Sequence, residues 1–264
     1  MSPKEEKKGI MSNISEREEE RIMRKYETVL DLHTHTIASG HAYCSIREMA
    51  SAAANKGLSL LGITEHAPKM PGTCHNFYFH NLKVVPREMY GIRLLLGSEV
   101  NILDTKGTID LEEKELRHMD VVIASLHTPC MKPGSVEENT EALIQAMKNP
   151  YVNIIGHPDD GRYPTDYKAL VQAAREYHKV LELNNHSLDP TCFRQNAHEN
   201  DRKMLALCRE YKVPVVMSSD AHFDTYIGDF PNAIQLLEEM DFPEELVLNR
   251  SVEAVLPYVN AGKK

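Results

Sequence analysis

The chain has 264 residues, a formal net charge of −9 and 42% apolar residues. This length suits one α/β barrel and supplies enough apolar side chains for a large core. The acidic balance does not favour a nucleic-acid-binding protein, which normally carries a basic stripe. No apolar run reaches the roughly 18 residues that a membrane span needs. We therefore expect neither a membrane nor a nucleic acid as partner.

The N-terminal part differs in composition from the rest of the chain. Residues 1–27 are rich in Lys, Glu and Arg and are predicted to be a helical or disordered extension, whereas residues 28–264 are predicted to form the functional domain. The charged N-terminus argues against a secretory signal. Five cysteines without a Cys-x-x-Cys pair argue against a disulfide framework, so a cytoplasmic location is expected. The surface allows a monomer or a homodimer.

Strand-like apolar runs and helix-like runs alternate along the chain. The predicted strands are residues 29–33, 58–64, 92–97, 120–125, 151–156, 180–184 and 213–218. The predicted helices are residues 45–56, 135–148, 166–177, 201–211, 231–240 and 251–261. Residues 67–80 are predicted to be a loop near substrate, because they are too long for a simple connection. The alternation favours parallel strands with outer helices, and seven strands predict a distorted TIM-like (β/α)7 barrel.

Histidine or carboxylate side chains follow one predicted strand after another. The motif Asp-Leu-His-Thr-His ends at His35, and the motif Ser-Asp-Ala-His ends at His222. The other members of this series, in chain order, are Glu65, His66, Glu99, His127 and His157. Because a barrel gathers the carboxyl ends of its strands at one rim, these side chains are expected to meet at one site.

The spacing and type of these residues indicate metal binding. His33 and His35 are two residues apart, as are Asp220 and His222, so each pair points to one side of its strand. Histidine and carboxylate ligands together suit zinc, manganese or iron better than calcium or magnesium. A single one of these histidines would more often be an ordinary core or surface residue, but the ordered series predicts a polynuclear metal site. The chain is therefore expected to be a metal-dependent hydrolase.

These motifs together resemble the PHP family, which is named for polymerase and histidinol phosphatase domains. The motifs that carry the resemblance are Asp-Leu-His-Thr-His-Thr, Ile-Thr-Glu-His, Gly-Ser-Glu-Val-Asn, Ser-Leu-His, Gly-His-Pro and Ser-Ser-Asp-Ala-His. The chain is most similar to the small single-domain bacterial PHP phosphatases, over roughly residues 28–257. The resemblance implies a distorted (β/α)7 barrel whose rim holds three divalent metal ions, usually zinc and sometimes manganese or iron.

The resemblance also implies a role for each matching residue. A first ion would be held by His33, His35, Glu99 and Asp220. A second ion, bridged by Glu99, would be held also by His127 and His157. A third ion would be held by His41, His66 and His222. A water bound at the first set of ligands would attack the phosphorus of a small phosphate monoester. One departure is Glu65, where the family commonly has Asp, which leaves the orienting contact of this residue in doubt.

Substrate contacts are harder to assign than metal ligands. Arg194 is the first candidate for a phosphate contact, with Arg162 and Lys132 after it, although each is equally consistent with a solvated surface charge. His186 and Asn184 follow the sixth predicted strand at the proper rim, so they are candidates to bind substrate or to orient a ligand. The net charge does not exclude an anionic substrate, because each bound divalent ion adds two positive charges.

Several other functions compete with a general phosphatase. A histidinol-phosphate phosphatase is a specific form of it, and nucleotides stay open as substrates. A metal amidohydrolase also opens its barrel with His-x-His, but it typically has a carboxylated Lys on strand four, and the fourth predicted strand here contains no Lys. A non-catalytic PHP module would be expected to have lost ligands, whereas all nine positions are filled here.

Overall fold

Seven parallel strands curve into a barrel that is nearly closed. The computed structural model describes residues 26–260, so nearly all of the predicted N-terminal extension lies outside the described residues. The strands are β1 Leu30–Asp31, β2 Leu60–His66, β3 Glu88–Met89, β4 Ile92–Asn101, β5 Val121–Ser125, β6 Ile154–Ile155, β7 Val180–Asn184 and β8 Val215–Ser218. The parallel order is β1-β2-β4-β5-β6-β7-β8, and the short β3 pairs antiparallel with β4. The predicted (β/α)7 barrel is confirmed.

Contacts near both ends of the strands complete the barrel between β8 and β1. Near the carboxyl ends, Thr34 and Ala221 form a parallel bridge, and the His35 N–H donates to the Ala221 carbonyl at 2.9 Å. Further down, the Asn249 side chain lies between the two strands. Its Nδ2 donates to the carbonyls of Leu30 at 3.1 Å and Met217 at 2.8 Å, and its Oδ1 accepts from the Met217 N–H at 2.7 Å. This amide thus takes the place of ladder hydrogen bonds that the two strands do not form directly.

Helices surround the sheet. They are α1 Ile46–Asn55, α2 Asn76–Asn81, α3 Glu113–Leu116, α4 Val136–Met147, α5 Tyr167–Glu176, α6 Ala197–Tyr211, α7 Pro231–Glu239 and α8 Val252–Val255. The Ser45 hydroxyl accepts from the Glu48 N–H while the Glu48 carboxylate accepts from the Ser45 N–H, so α1 begins with a capping box. Ser135 and Glu138 begin α4 in the same way. Among the described residues, no helix is long and apolar enough to cross a membrane.

Two apolar layers hold the barrel together. The larger layer lies between the sheet and the helices, and includes Leu61, Ile63 and Leu96 from the strands. The smaller layer contains residues from all seven parallel strands, so it fills the barrel interior; Leu60 and Leu95 belong to it. Leu248, Val255 and Val259 from the C-terminal segment complete this interior cluster. The C-terminal segment therefore closes one end of the barrel by hydrophobic burial, and the polar site occupies the other end.

Most differences from the predicted elements concern where an element begins or ends. β2 and β4 run further than expected, so His66 and Glu99 lie within strands rather than after them. Helix α6 begins at Ala197, four residues before the predicted start. The prediction misses this first turn because its polar residues show no apolar periodicity. Helix α2 begins inside the predicted loop 67–80 and ends one residue beyond it. Strand ends depend on pairing with neighbouring strands, which apolar runs do not report.

Candidate metal centre

Glu99, on β4, is the centre of the rim cluster. Its carboxylate is 1% exposed and lies among five histidines. The Oε2 atom is 2.7 Å from His66 Nδ1, 3.3 Å from His33 Nε2 and 3.6 Å from His35 Nε2. The Oε1 atom is 2.9 Å from His157 Nε2 and 3.2 Å from His127 Nε2. These histidines come from the ends of four different strands, as the sequence predicts, and Glu99 contacts all of them.

Asp220 forms the second carboxylate of the cluster. Its Oδ1 is 3.3 Å from His35 Nε2, 3.7 Å from His33 Nε2 and 3.7 Å from His222 Nδ1. Its backbone φ is 55°, in the left-handed region that non-glycine residues seldom adopt, and the φ of His157 is 29°. Such backbone conformations cost energy and tend to persist at functional sites. Two of the predicted ligand positions therefore have strained backbone.

His41, His66 and His222 form a third group, whose rings pack together. The ring centroid of His41 lies 4.9 Å from that of His66 and 4.8 Å from that of His222. The centroids of His66 and His222 are 5.9 Å apart. His41 is exposed, whereas His66 is buried. The structure thus brings all nine predicted ligand positions into one cluster.

The cluster fits a set of divalent cations. Three groups each offer ligand atoms that lie within 4.8 Å of one another: His33, His35 and Glu99; His66, Glu99 and His127; and His35, His66 and His222. Buried polar atoms without a hydrogen-bond partner include His33 Nε2, His35 Nε2, His66 Nδ1 and Glu99 Oε2. Leaving such atoms unpaired is costly. A bound cation would give each of them a partner, so the residues present fit metal ions.

Neighbouring acceptors leave one ring nitrogen of His33 and one of His127 available to bind a metal ion. The Nδ1 of His33 is 2.7 Å from Glu182 Oε1, and the Nδ1 of His127 is 2.8 Å from Asn101 Oδ1. A carboxylate or amide oxygen can only accept, so both Nδ1 atoms carry the proton. The Nε2 atoms of these rings then face Glu99 and its neighbours.

Glu65 acts on His35 through a serine hydroxyl. The Ser39 Oγ donates to Glu65 Oε2 at 2.6 Å, so it accepts from His35 Nδ1 at 3.0 Å. Glu65 also accepts from the Thr36 N–H and from the Tyr78 hydroxyl, both at about the length of ordinary hydrogen bonds. The larger Glu therefore has orienting contacts at this position, where an Asp is common in the family that the sequence resembles.

Glu182, on β7, is a buried site residue that sequence reasoning missed. Besides His33, it accepts from the His157 N–H at 2.7 Å and from Asn184 Nδ2 at 3.1 Å. The signal that could have found it is a lone carboxylate in the middle of the apolar run Val-Leu-Glu-Leu-Asn, two residues before Asn184 and so on the same face. A buried carboxylate requires partners, and here the partners are candidate ligands.

The surroundings shift the ionisation of the cluster. Burial alone would raise the pKa of Glu99, but His127, His33 and His66 together outweigh burial and hold that pKa well below its ordinary value. Burial, with His66 and His222 nearby, lowers the pKa of His35 well below its ordinary value, which favours the neutral ring. A carboxylate and a neutral imidazole are the forms that bind metal ions.

A cavity of about 620 Å³ opens over the cluster. Its lining includes His41, His66, His127, Asp220 and His222 from the predicted ligands. Of the predicted substrate contacts, Arg194, Arg162 and His186 line the cavity. Among the described residues, Asn184 and Lys132 are not part of this lining. The candidate metal centre therefore lies on the wall of a space large enough for a small molecule.

Arg194 is held against the cluster of candidate ligands. Its Nη2 donates to Asp220 Oδ2 at 2.9 Å, and its Nη1 donates to Asn184 Oδ1 at 3.2 Å and to Ser187 Oγ at 3.0 Å. Its side chain is 6% exposed. Arg162 instead pairs with Asp160 through several hydrogen bonds. Asn184 also donates to Asp220 Oδ2 at 3.2 Å, so it contacts a predicted metal ligand and does not line the cavity.

An α/β barrel with buried histidines and carboxylates at its carboxyl rim defines a metal-binding barrel protein. A family model described as the PHP domain matches residues 31–240, and the chain belongs to this family. The family resemblance seen in the motifs is thereby confirmed.

Curated bacterial proteins are similar to nearly the whole chain. A probable phosphatase of Caldanaerobacter subterraneus is 48% identical over 91% of this chain and 94% of that protein. A probable phosphatase of Clostridium novyi is 44% identical over 89% of this chain and 96% of that protein. A third, from Caldicellulosiruptor saccharolyticus, is 46% identical over 89% of this chain and 97% of that protein. The enzyme class predicted from the sequence agrees with these names.

A solved structure supports the fold. The histidinol phosphate phosphatase of Lactococcus lactis, in complex with zinc, L-histidinol and phosphate, matches with a TM-score of 0.55. The match covers 82% of this chain and 95% of that chain, at 18% sequence identity. At this identity the likeness concerns the barrel alone.

Proposed function

We propose that this protein is a metal-dependent phosphatase that hydrolyses a small phosphate monoester. The observation that carries the proposal is the contact of Glu99 with five histidines, several of whose buried atoms have no hydrogen-bond partner and so suit a metal ion. The names of the curated relatives support phosphatase activity, and the zinc and phosphate bound to the Lactococcus lactis protein support the choice of metal and substrate class.

Three divalent ions, zinc in the first place and manganese or iron as alternatives, would be held by the nine clustered residues. His33, His35, Glu99 and Asp220 would hold the first ion. Glu99, His127 and His157 would hold the second. His41, His66 and His222 would hold the third. Glu99 is suited to bridge ions because its two oxygens face different histidines.

Bound divalent ions supply an activated water and neutralise phosphoryl oxygens. The chain itself orients the ligands: Glu182 fixes the ring of His33, and Ser39 fixes the ring of His35. Arg194 and His186, on the cavity wall, would bind phosphoryl oxygens as the substrate enters. Asn184 would position Asp220 instead of contacting substrate, because it lies behind this carboxylate.

The third histidine group favours a phosphatase over an amidohydrolase-like enzyme. Strand β5, Val121–Ser125, is the fourth parallel strand, where an amidohydrolase typically has its carboxylated Lys. This strand contains no Lys. Packing of His41 against His66 and His222 would have no role in a site with two ions. The small phosphate monoester is therefore the substrate class that the cluster supports best.

The test is metal content measured together with turnover. The wild type and a His33→Ala/His35→Ala variant would be purified, assayed for zinc, manganese and iron by plasma mass spectrometry, and tested on p-nitrophenyl phosphate. A matched control is His80→Ala/His198→Ala, since both side chains are exposed and neither lines the cavity. We expect about three ions per wild-type chain. The ligand variant should lose at least a hundredfold in kcat, because losing bound ions removes the activated water that they supply.

Two results would contradict the proposal. Tightly bound ions without turnover of any phosphate ester would favour a non-catalytic module or another hydrolase. Full activity in the ligand variant would remove these histidines from the chemistry. The control should keep the metal content and kcat of the wild type.

A further inference from the structure

Aromatic side chains surround the mouth of the cavity over the metal cluster. Tyr43, Phe193, Phe223 and Tyr226 all line this cavity, and they are 74%, 63%, 43% and 62% exposed respectively. They come from separate segments, after β1, after β7 and after β8. Separate loops thus bring exposed rings to one place beside the candidate site.

Exposed apolar rings at one cavity indicate a ligand surface. A single exposed apolar side chain is ordinary, whereas a group of them around a cavity marks a binding site. The cavity volume of about 620 Å³ falls in the middle of the range for small-molecule sites. A phosphoryl group at the metal cluster would leave most of this space, and all of the rings, to the leaving group.

We propose that the aromatic mouth is a subsite for a nucleobase, and that the enzyme prefers nucleoside monophosphates among phosphate monoesters. This inference rests on the proposed phosphatase function and adds the identity of the leaving group. Nucleobases stack on aromatic side chains with little dependence on base identity. The phosphate would face the candidate metal ligands and Arg194, and the base would stack at Tyr226 and Phe223 near the mouth. The Phe193 ring already packs against the Arg162 guanidinium, 4.7 Å from its centroid.

The charges of the cavity favour one phosphate and a single nucleotide. Asp189 and Asp229 line the cavity and would repel the second and third phosphates of a di- or triphosphate. Of the residues described as lining it, Arg162 and Arg194 are the only Lys or Arg, and both are paired with carboxylates. A polynucleotide needs a basic groove along its backbone, which this wall does not provide.

The test compares AMP with ribose 5-phosphate. Both esters release the same kind of primary alcohol, so the difference in kcat/KM reports the base and not the leaving-group chemistry. We expect the metal-loaded wild type to prefer AMP by about tenfold or more, the size of one stacked base. Tyr226→Ala and Phe223→Ala should each lower this preference severalfold, and Tyr226→Phe should keep it because the ring remains.

Two further arms separate binding from turnover and nucleotide from nucleic acid. Adenosine, which has no phosphate, should inhibit p-nitrophenyl phosphate hydrolysis competitively, with a Ki that rises severalfold in Tyr226→Ala, whereas ribose should not inhibit. Tyr90→Ala is the matched control, because Tyr90 is 55% exposed but lies in the β3–β4 turn and does not line the cavity. A 5′-phosphorylated oligonucleotide should be a poorer substrate than AMP.

The outcomes distinguish this inference from the phosphatase proposal. Equal kcat/KM for AMP and ribose 5-phosphate in the wild type would overturn the nucleobase subsite and leave the phosphatase intact. A base preference that Tyr226→Ala and Phe223→Ala do not change would also overturn it. If the oligonucleotide is a better substrate than AMP, the substrate is the end of a nucleic acid, and the inference of a nucleoside monophosphate is overturned. No hydrolysis of any phosphate ester would instead defeat the proposed function.

Discussion

Single hydrogen bonds decide which histidine nitrogens are available at the site. The chain uses one ring nitrogen of His33 to contact Glu182, and one of His127 to contact Asn101, which leaves the other nitrogen of each ring facing Glu99. Glu182 is the most connected of these supporting residues, because its two oxygens accept from His33, from the His157 N–H and from Asn184. It therefore links two of the proposed metal sites without entering the cavity.

Replacing Glu182 with Gln should weaken metal binding. A Gln side chain has one oxygen and one NH₂ group, so one of them would face the N–H donors that Glu182 now accepts from. His33 and the His157 backbone would then lose their fixed orientation. Changes of this kind typically cost about 10- to 100-fold in metal affinity. Zinc affinity would be measured by competition with a fluorescent zinc indicator.

The matched control for this change is Glu210→Gln, on the exposed side of α6. It removes the same charge at a distance from the ligands and should leave zinc affinity unchanged. Equal zinc affinity in Glu182→Gln and the wild type would show that the orientation of His33 does not depend on this carboxylate.

At the scale of elements, β4 places the central carboxylate. It runs from Ile92 to Asn101 between β2 and β5, so it carries both Glu99 and the Asn101 that contacts His127. Gly97 lies two residues before Glu99 on this strand. A Cβ atom at Gly97 would lie 1.7 Å from the carbonyl oxygen of Val121 on β5, so a side chain there would force the strands apart.

Gly97→Ala should therefore destabilise the protein and disturb the site. Forcing extra atoms into packed structure typically costs about 1–3 kcal/mol, or several degrees in Tm for a chain of this size. Because β4 would move with Glu99, zinc affinity should fall as well. Stability is measured by thermal unfolding and zinc affinity by zinc competition.

Gly91→Ala is the control. A Cβ atom at Gly91 would meet no other atom and would cost only the strain of a positive φ, 79°. This change should lower Tm by less and leave zinc affinity unchanged. Unchanged Tm in Gly97→Ala would contradict the close approach of β4 and β5.

The sequence predicted the elements and the candidate ligands better than the contacts that support them. Strand β7, Val180–Asn184, has the predicted limits because both ends of its apolar run are also the ends of its pairing. Barrel geometry predicts that histidines at strand ends meet at one rim, whereas the assignment of each residue as a ligand comes from the resemblance to the PHP family. The contact of Glu182 with His33 joins residues 149 positions apart, and no local pattern reports such a pair. The aromatic mouth is similar, since its rings come from separate loops.

At the scale of the whole molecule, the cluster of candidate ligands and the C-terminal segment close opposite ends of the barrel. The C-terminal segment buries Val255 and Val259 in the barrel interior, and Asn249 joins β1 to β8. At the other end, the proposed ligands come from the ends of β1, β2, β4, β5, β6 and β8. Bound ions would therefore tie most strands of the barrel to one another at the rim that the C-terminal segment does not reach.

Metal removal should lower the thermal stability of the protein. A ligand that binds only the native state stabilises it by about 2.7 kcal/mol at a concentration 100 times its Kd, and about 1 kcal/mol corresponds to roughly 2–4 °C in Tm for a chain of this size. Stripping the ions with a chelator, followed by dialysis, should lower Tm by at least about 5 °C in differential scanning calorimetry. Adding zinc back should restore it. The His33→Ala/His35→Ala variant lacks two ligands of the first ion, so its Tm should fall by less than that of the wild type when the chelator is applied. Equal Tm values for stripped and reloaded wild type would mean that the ions do not tie the strands together, whatever their part in catalysis.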